Sequence, residues 1–265
     1  MITFDARNRE PCKVGGSSKG CQLKFFDGSM WFNVDRVGYE GFAEVVASRL
    51  ATLLNVNMPV VSYSLCTISL PTGESLGCCS KSFVGSVLSE TTAKRMLQQA
   101  YGNHWVSHVY DKMSPKDKLD ILCSLLKEID CRLVDQLACM FQFDALIRNL
   151  DRHLNNIVLR MCPVYSDIIL FDNGDSCTAD ITYDYPKEST LDDCLKVTYA
   201  KPLSIPFEQQ CMLIGDYSSF KLKALNNRLK LSDLKEYVPD WFYARVCAFL
   251  KYQFKNVLNC DLIIL

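Results

Sequence analysis

The residues best equipped for chemistry lie in two phrases. From Arg148 to Leu159 the chain reads RNLDRHLNNIVL, and from Leu170 to Ser176 it reads LFDNGDS. The first phrase packs Asn149, Asp151, His153, Asn155 and Asn156 between apolar stretches, and the second returns with Asp172, Asn173 and Asp175. Asp151 and Asn156 stand five residues apart, just after a long apolar helical pattern and just before the strand-like IVL. Asp172-Asn173-Gly174 follows a second strand-like run, DIILF. Two short strands paired as a hairpin would hold both polar clusters at neighbouring ends. Carboxylate and amide oxygens converging there suit Mg²⁺, a hard cation that keeps waters and shares the phosphate oxygens of a substrate.

The order of these residues matches the phosphoryl-transfer template of protein kinases. There an Asp accepts the proton of the acceptor hydroxyl, an Asn five residues on binds metal, and a further Asp in an Asp-x-Gly element holds the other metal contact. Asp151, Asn156 and Asp172 fill those slots, with Gly174 completing Asp-x-Gly. Upstream, KVGGSSKGCQLKF supplies Gly15, Gly16, Ser17, Ser18, Lys19 and Gly20. Backbone amides in such a turn could approach phosphates, although a surface turn before a strand reads the same.

These residues must be positioned by two kinds of scaffold. Residues 1–87 read as a β-rich lobe with one helix. CQLKFFDGSMWFNV is two β-rich runs around Asp27-Gly28, a hairpin signal, and two more strands flank Pro71-Thr72-Gly73. Between them, Phe42, Val45, Val46, Leu50, Leu53 and Leu54 recur at helical steps up to the break at Pro59. Residues 88–265 read as a mainly helical lobe. SPKDKLDILCSLLKEI opens with Ser114 as an N-cap and Pro115 at the first helical position. CRLVDQLACMFQFDALIRN delivers the chain to the first polar phrase, and DWFYARVCAFLKYQFKNVL is a third long helix. The expected architecture is a two-lobed, protein-kinase-like α+β fold.

With those motifs in place, a family resemblance emerges. NLDRHLNNIVL, of the form Asn-x-Asp-x-His-x-x-Asn, resembles the catalytic loop of the HipA-like kinases, and the chain's size is similar to that of their compact CtkA-type members. FDNGDSCTADITYDYP is similar to the family's metal-binding Asp segment, which runs into a Tyr-Pro pair, here Tyr185-Pro186. GYEGFAEVVASRLATLLNVNMPVVSY is similar to its N-lobe helix and following strand. The resemblance implies ATP and Mg²⁺ as ligands and a Ser or Thr hydroxyl of a protein as acceptor. It implies Asp151 as catalytic base, His153 as a loop organiser or phosphate contact, and Asn156 with Asp172 as Mg²⁺ ligands. By the same resemblance Glu44 matches the helix Glu that pairs with the nucleotide-binding Lys, and SKSFV corresponds to the interlobe segment whose backbone meets adenine, around Phe83. The family also implies autophosphorylation of a Ser in the glycine turn, here Ser17 or Ser18, adding negative charge where nucleotide enters.

One position departs from the family. Where its second hairpin strand carries a phosphate-anchoring Lys, this chain has Asn33, and an amide cannot supply cationic charge. Lys24 on the partner strand, Lys19 in the glycine turn and Arg36 just beyond are the candidate replacements, and the sequence leaves all three open. The departure keeps a second reading alive, a nucleotide-binding scaffold with weak catalysis. A kinase for a lipid or small molecule is a third, since one fold hosts many substrates.

Bulk properties narrow the rest. A formal charge of −1 gives no polyanion-binding signature, so no nucleic-acid partner is expected. No apolar run is long enough to span a bilayer, and neither a membrane partner nor a conventional signal peptide is expected. The resemblance, together with these properties, implies a bacterial cytoplasmic location, with export as an effector and a regulatory protein partner left open. The 14 cysteines form no paired CxxC set and fall largely in apolar helical runs, so they read as reduced core residues.

Overall fold

The structure, a computed structural model, describes residues 2–12, 22–83, 89–162, 164–197 and 199–265. The glycine-rich turn, with Gly15, Gly16, Ser17, Ser18 and Lys19, lies outside the described residues, as does the expected join between lobes at 87/88.

The N-terminal lobe is a curled sheet of β1 (Ile2–Asp5), β2 (Lys24–Phe26), β3 (Met30–Val34), β4 (Tyr63–Leu70) and β5 (Gly73–Lys81). Their order is β1-β4-β5-β3-β2, with β1 parallel to β4 and the other neighbours antiparallel. The Asp27-Gly28 signal forms its hairpin. Asp27 Oδ1 accepts from the amides of Ser29 and Met30, and Gly28 takes φ 103°, a conformation that favours glycine. One sheet face buries Phe4, Phe25, Phe32, Ile68 and Cys79. The other receives α1 (Glu40–Leu53), whose Phe42, Val45, Val46 and Leu50 join the main core. Helix and sheet meet glycine to glycine. A Cβ on Gly41 would stand 2.7 Å from the carbonyl carbon of Gly77 in β5, so only hydrogen there permits the approach that lays Glu44 against the sheet.

The C-terminal lobe opens on a strand rather than the expected helix. β6 (Ser89–Thr92) pairs with β7 (Val158–Met161), which pairs with β8 (Ser166–Ile169), all antiparallel. Its sequence, Ser-Glu-Thr-Thr, has no apolar alternation to betray it. The hairpin β7–β8 is the one expected between the two polar phrases. Helices α2 (Ala93–Tyr101), α3 (Asn103–His108), α4 (Pro115–Ile129) and α5 (Arg132–Ile147) precede it. Ser114 caps α4 as expected, its Oγ accepting from the amide of Asp117. Beyond the hairpin come α6 (Leu191–Lys196), the short antiparallel pair β9 (Tyr199–Ala200) and β10 (Ile205–Pro206), then α7 (Phe207–Gly215) and α8 (Asp240–Leu258).

Helix α5 is the lobe's axis. Leu133, Leu137, Cys139, Phe141 and Phe143 are fully buried, covering almost its whole circumference against α4, α7, α8 and β8. The described cysteines are free thiols, and Cys66, Cys78, Cys79, Cys123, Cys139, Cys177 and Cys194 are buried, as small apolar residues would be. Among the described residues no helix is long and apolar enough to cross a membrane.

Candidate active site

The first polar phrase begins where α5 stops. Arg148 takes a left-handed φ of 53° and turns the chain out of the helix. Asn149 is fully buried; its Nδ2 donates to Asp144 Oδ1 (3.2 Å) and its Oδ1 accepts from the amide of Asp151 (3.1 Å). It therefore fixes the loop from behind. Asn156 Nδ2 donates to the Asp151 carbonyl at 3.0 Å, which ties the two ends of the five-residue spacing and leaves Oδ1 as the amide's ligand-type atom.

Arg152 organises the site, and sequence reading passed over it. Its side chain is fully buried against Asp144 of α5, with Nε 3.0 Å from Oδ2 and Nη2 3.1 Å from Oδ1. Nη1 donates to the carbonyls of Asn156 (3.1 Å) and Phe171 (2.6 Å), and Nη2 to Asn173 Oδ1 (2.6 Å). One guanidinium thus clamps the two polar phrases together, with Asn156 on one side and the residue before Asp172 on the other. The signal was Asp144, a carboxylate set in an otherwise apolar helix face, which has to find a buried cation.

The second phrase brings Asp172 into a strained backbone state, φ 55°, as it leaves β8. Its Oδ1 lies 3.6 Å from the ammonium of Lys24. Lys24 is the direct cross-strand partner of Asn33, which is in turn opposed by Cys78 of β5, so the three side chains share the inner sheet face. The charge of Asp172 raises the Lys24 pKa despite burial, keeping the ammonium protonated. Asn33 is buried and its Oδ1 has no hydrogen-bond partner among the described residues. Arg36 lies exposed past the end of β3.

Glu44 sits at the back of this cleft, 3% exposed, and receives a long hydrogen bond from Asn173 Nδ2 (3.5 Å). Burial, followed by the charge of Asp172, pushes its carboxyl up to about 8. Lys24 thus has carboxyl groups of both the helix and the Asp-x-Gly element around it, with the direct ion pair formed to Asp172. Phe83, just past β5, rests against Phe171 with ring centroids 5.6 Å apart, placing the expected interlobe segment beside the residue before Asp172.

His153 faces Asp151 at 4.0 Å, and burial lowers its pKa, favouring the neutral ring. Asp175 gathers with Asp180 and Asp184, their carboxylate oxygens within 4.8 Å of one another. Asp180 accepts from the amides of Thr182 and Tyr183, and Arg245 of α8 secures the carbonyls of Thr178, Tyr185 and Pro186 beyond it. Asn156 Oδ1 and the Asp172 carboxylate are hard oxygen donors, and such a set fits Mg²⁺.

No protein-family model matches the chain, and no curated protein matches it in sequence. Solved structures do. The Helicobacter pylori proinflammatory kinase CtkA is similar over 97% of this chain and 95% of its own, with a TM-score of 0.60 at 14% identity. HipA of the Shewanella oneidensis MR-1 toxin–antitoxin system, solved with HipB and operator DNA, covers 93% of this chain and 65% of its own, with a TM-score of 0.40 at 11% identity. The Golgi casein kinase covers 93% and 74%, with a TM-score of 0.38 at 12% identity. The likeness to CtkA is one of fold. This chain has a CtkA-like kinase fold, with a curled-sheet N-lobe and a helical C-lobe.

Proposed function

We propose that the chain is a kinase, transferring the γ-phosphoryl group of ATP to Ser or Thr hydroxyls of a protein. The observation that carries this reading is the Arg152 clamp. It gathers the Asp151–Asn156 loop and the Asp172 element at one mouth, opposite the Lys24 ammonium. Asp151 would orient the acceptor hydroxyl and receive its proton. Asn156 and Asp172 would hold Mg²⁺, which when bound neutralises charge on the β- and γ-phosphates. Lys24 supplies the cation that Asn33 cannot, from the neighbouring strand of the same sheet face. Because the transition state is loose and highly charged, fixed charges and positioning account for most of the rate.

The test is direct. Incubation with ATP and Mg²⁺, read by ADP release and by intact mass of the chain and of added Ser-, Thr- and Tyr-containing peptides, should give phosphate on Ser or Thr. Phosphate appearing only on lipids or small hydroxylated molecules would reassign the acceptor. Thermal stabilisation by ATP with no ADP and no added mass would favour a nucleotide-binding scaffold, the reading that Asn33 keeps open.

A further inference from the structure

A second lysine reaches the loop from the opposite side. Lys201 lies fifty positions after Asp151 in sequence, yet its Nζ donates to Asp151 Oδ1 at 2.8 Å. It occupies the turn that joins β9 to β10. Its neighbours Ala200, Pro202 and Leu203 are buried, and Ser204 closes the turn by donating its amide to the Ala200 carbonyl. The backbone carrying Lys201 is therefore anchored by packing, so the ammonium is delivered to one place.

Lys201 itself lines a cavity of about 650 Å³, whose wall reaches His153, two residues from Asp151. His153, Leu154 and Asn155 of the loop form one wall, and Lys94 of α2, Ser107 of α3 and Lys118 of α4 form others. Both ring nitrogens of His153 lack hydrogen-bond partners among the described residues, so polar capacity is open beside Asp151. Lys24 meets Asp172 from the sheet side, and Lys201 meets Asp151 from the cavity side.

We propose that this cavity receives the acceptor hydroxyl group and that Lys201 is the positioning residue of the transfer, holding the Asp151 carboxylate toward it. The inference rests on the kinase reading. In the step, the acceptor oxygen forms its bond to the γ-phosphorus while the bond from that phosphorus to the bridging oxygen breaks. The electron pair leaves with ADP, and the hydroxyl proton goes to the carboxylate of Asp151. Lys201 takes no part in the proton transfer. Its charge offsets the repulsion between the Asp151 carboxylate and the phosphate oxygens, and its hydrogen bond selects one carboxylate rotamer. A loose transition state asks little of the base until the phosphorus–oxygen bond is largely broken.

The experiment is steady-state ATP turnover, with phosphate transfer to the chain or to the peptide acceptor of the previous test, for wild type, Lys201→Met, Lys201→Arg, Asp151→Asn and the Lys201→Met/Asp151→Asn pair. Calorimetric ATP affinity and thermal midpoint are measured on each. We expect Lys201→Met to lower kcat about 10- to 100-fold, the scale of one charge-assisted contact, with KM for ATP, ATP affinity and thermal midpoint little changed. Lys201→Arg should recover part of kcat, and Lys201→Met should cost nothing further in the Asp151→Asn background. A wild-type kcat in Lys201→Met, a loss that multiplies that of Asp151→Asn, or a loss matched by unfolding would each overturn the role of Lys201 while leaving the kinase reading intact. An inactive wild type would overturn the kinase reading, and this inference with it.

Discussion

Lys24 and Asn33 oppose each other across β2 and β3, and the Lys24 ammonium ends 3.6 Å from Asp172. On the proposed kinase reading, the cation and the amide have exchanged strands relative to the pattern this sequence resembles, while remaining on the same sheet face. An ammonium on either strand can reach the same point because directly opposed side chains lie within a few ångströms of one another.

The exchange predicts a rescue. Lys24→Asn should weaken ATP binding or turnover about 10- to 100-fold, the loss of a contact to a charged group worth roughly 1.5–3 kcal/mol. Adding Asn33→Lys should restore a substantial part. Calorimetric titration of ATP and Mg²⁺ checks it, and an Asn33→Lys double variant no better than Lys24→Asn would place the cation elsewhere.

The Arg152 clamp predicts a large stability loss. Arg152→Met leaves Asp144 charged and fully buried without its cation, which should cost about 3–5 kcal/mol. Replacing both members, Arg152→Met with Asp144→Leu, should recover much of that stability without recovering activity, because the carbonyls of Asn156 and Phe171 lose their shared donor. Urea denaturation of the three chains measures it.

Stability should also fall as pH rises. Asp35 is partly buried; desolvation, then the charge of Glu40, pushes its carboxyl up to about 8, against one opposing hydrogen bond from the Gly41 amide (2.6 Å). The unfolded chain gives up that proton at ordinary carboxylate pH, while the folded chain holds it to about pH 8. Folding is therefore penalised progressively across that window, and the penalty levels off above it. Glu44 acts in the same direction. Denaturation midpoints followed from pH 5 to 9 should decline, and Asp35→Asn should flatten the decline. An unchanged slope in Asp35→Asn would contradict this assignment.

The contact between α1 and β5 leaves no room for a methyl. Gly41→Ala puts a Cβ 2.7 Å from the Gly77 backbone and should destabilise by about 1–3 kcal/mol, shifting Glu44 with the helix. Thermal unfolding reads the first effect, and ATP affinity reads the second.

Much of this was legible in the chain. The Asp27-Gly28 hairpin, the Ser114 cap, the long helices and the β7–β8 pairing each follow from local chemistry that the fold leaves in place. Asp151, Asn156 and Asp172 were singled out by their spacing and by the resemblance to the HipA-like catalytic loop. Other features depend on partners far apart in sequence. Arg152 was hidden because its meaning lies in Asp144, Phe171 and Asn173, and Lys201 because nothing near it in sequence is polar in a recognisable pattern. β6 was hidden because its residues favour a surface, and only its pairing with β7 makes it a strand. The gathering of Asp175 with Asp180 and Asp184 was hidden because it arises from the turns between them.

The account turns on Asp151. The most direct measurement compares ADP release and phosphate incorporation for wild type and Asp151→Asn under saturating ATP and Mg²⁺, with ATP affinity measured on both. The account predicts that Asp151→Asn binds ATP nearly as wild type does and transfers at least about 100-fold more slowly, the scale of general-base catalysis. Transfer by Asp151→Asn at the wild-type rate would contradict it.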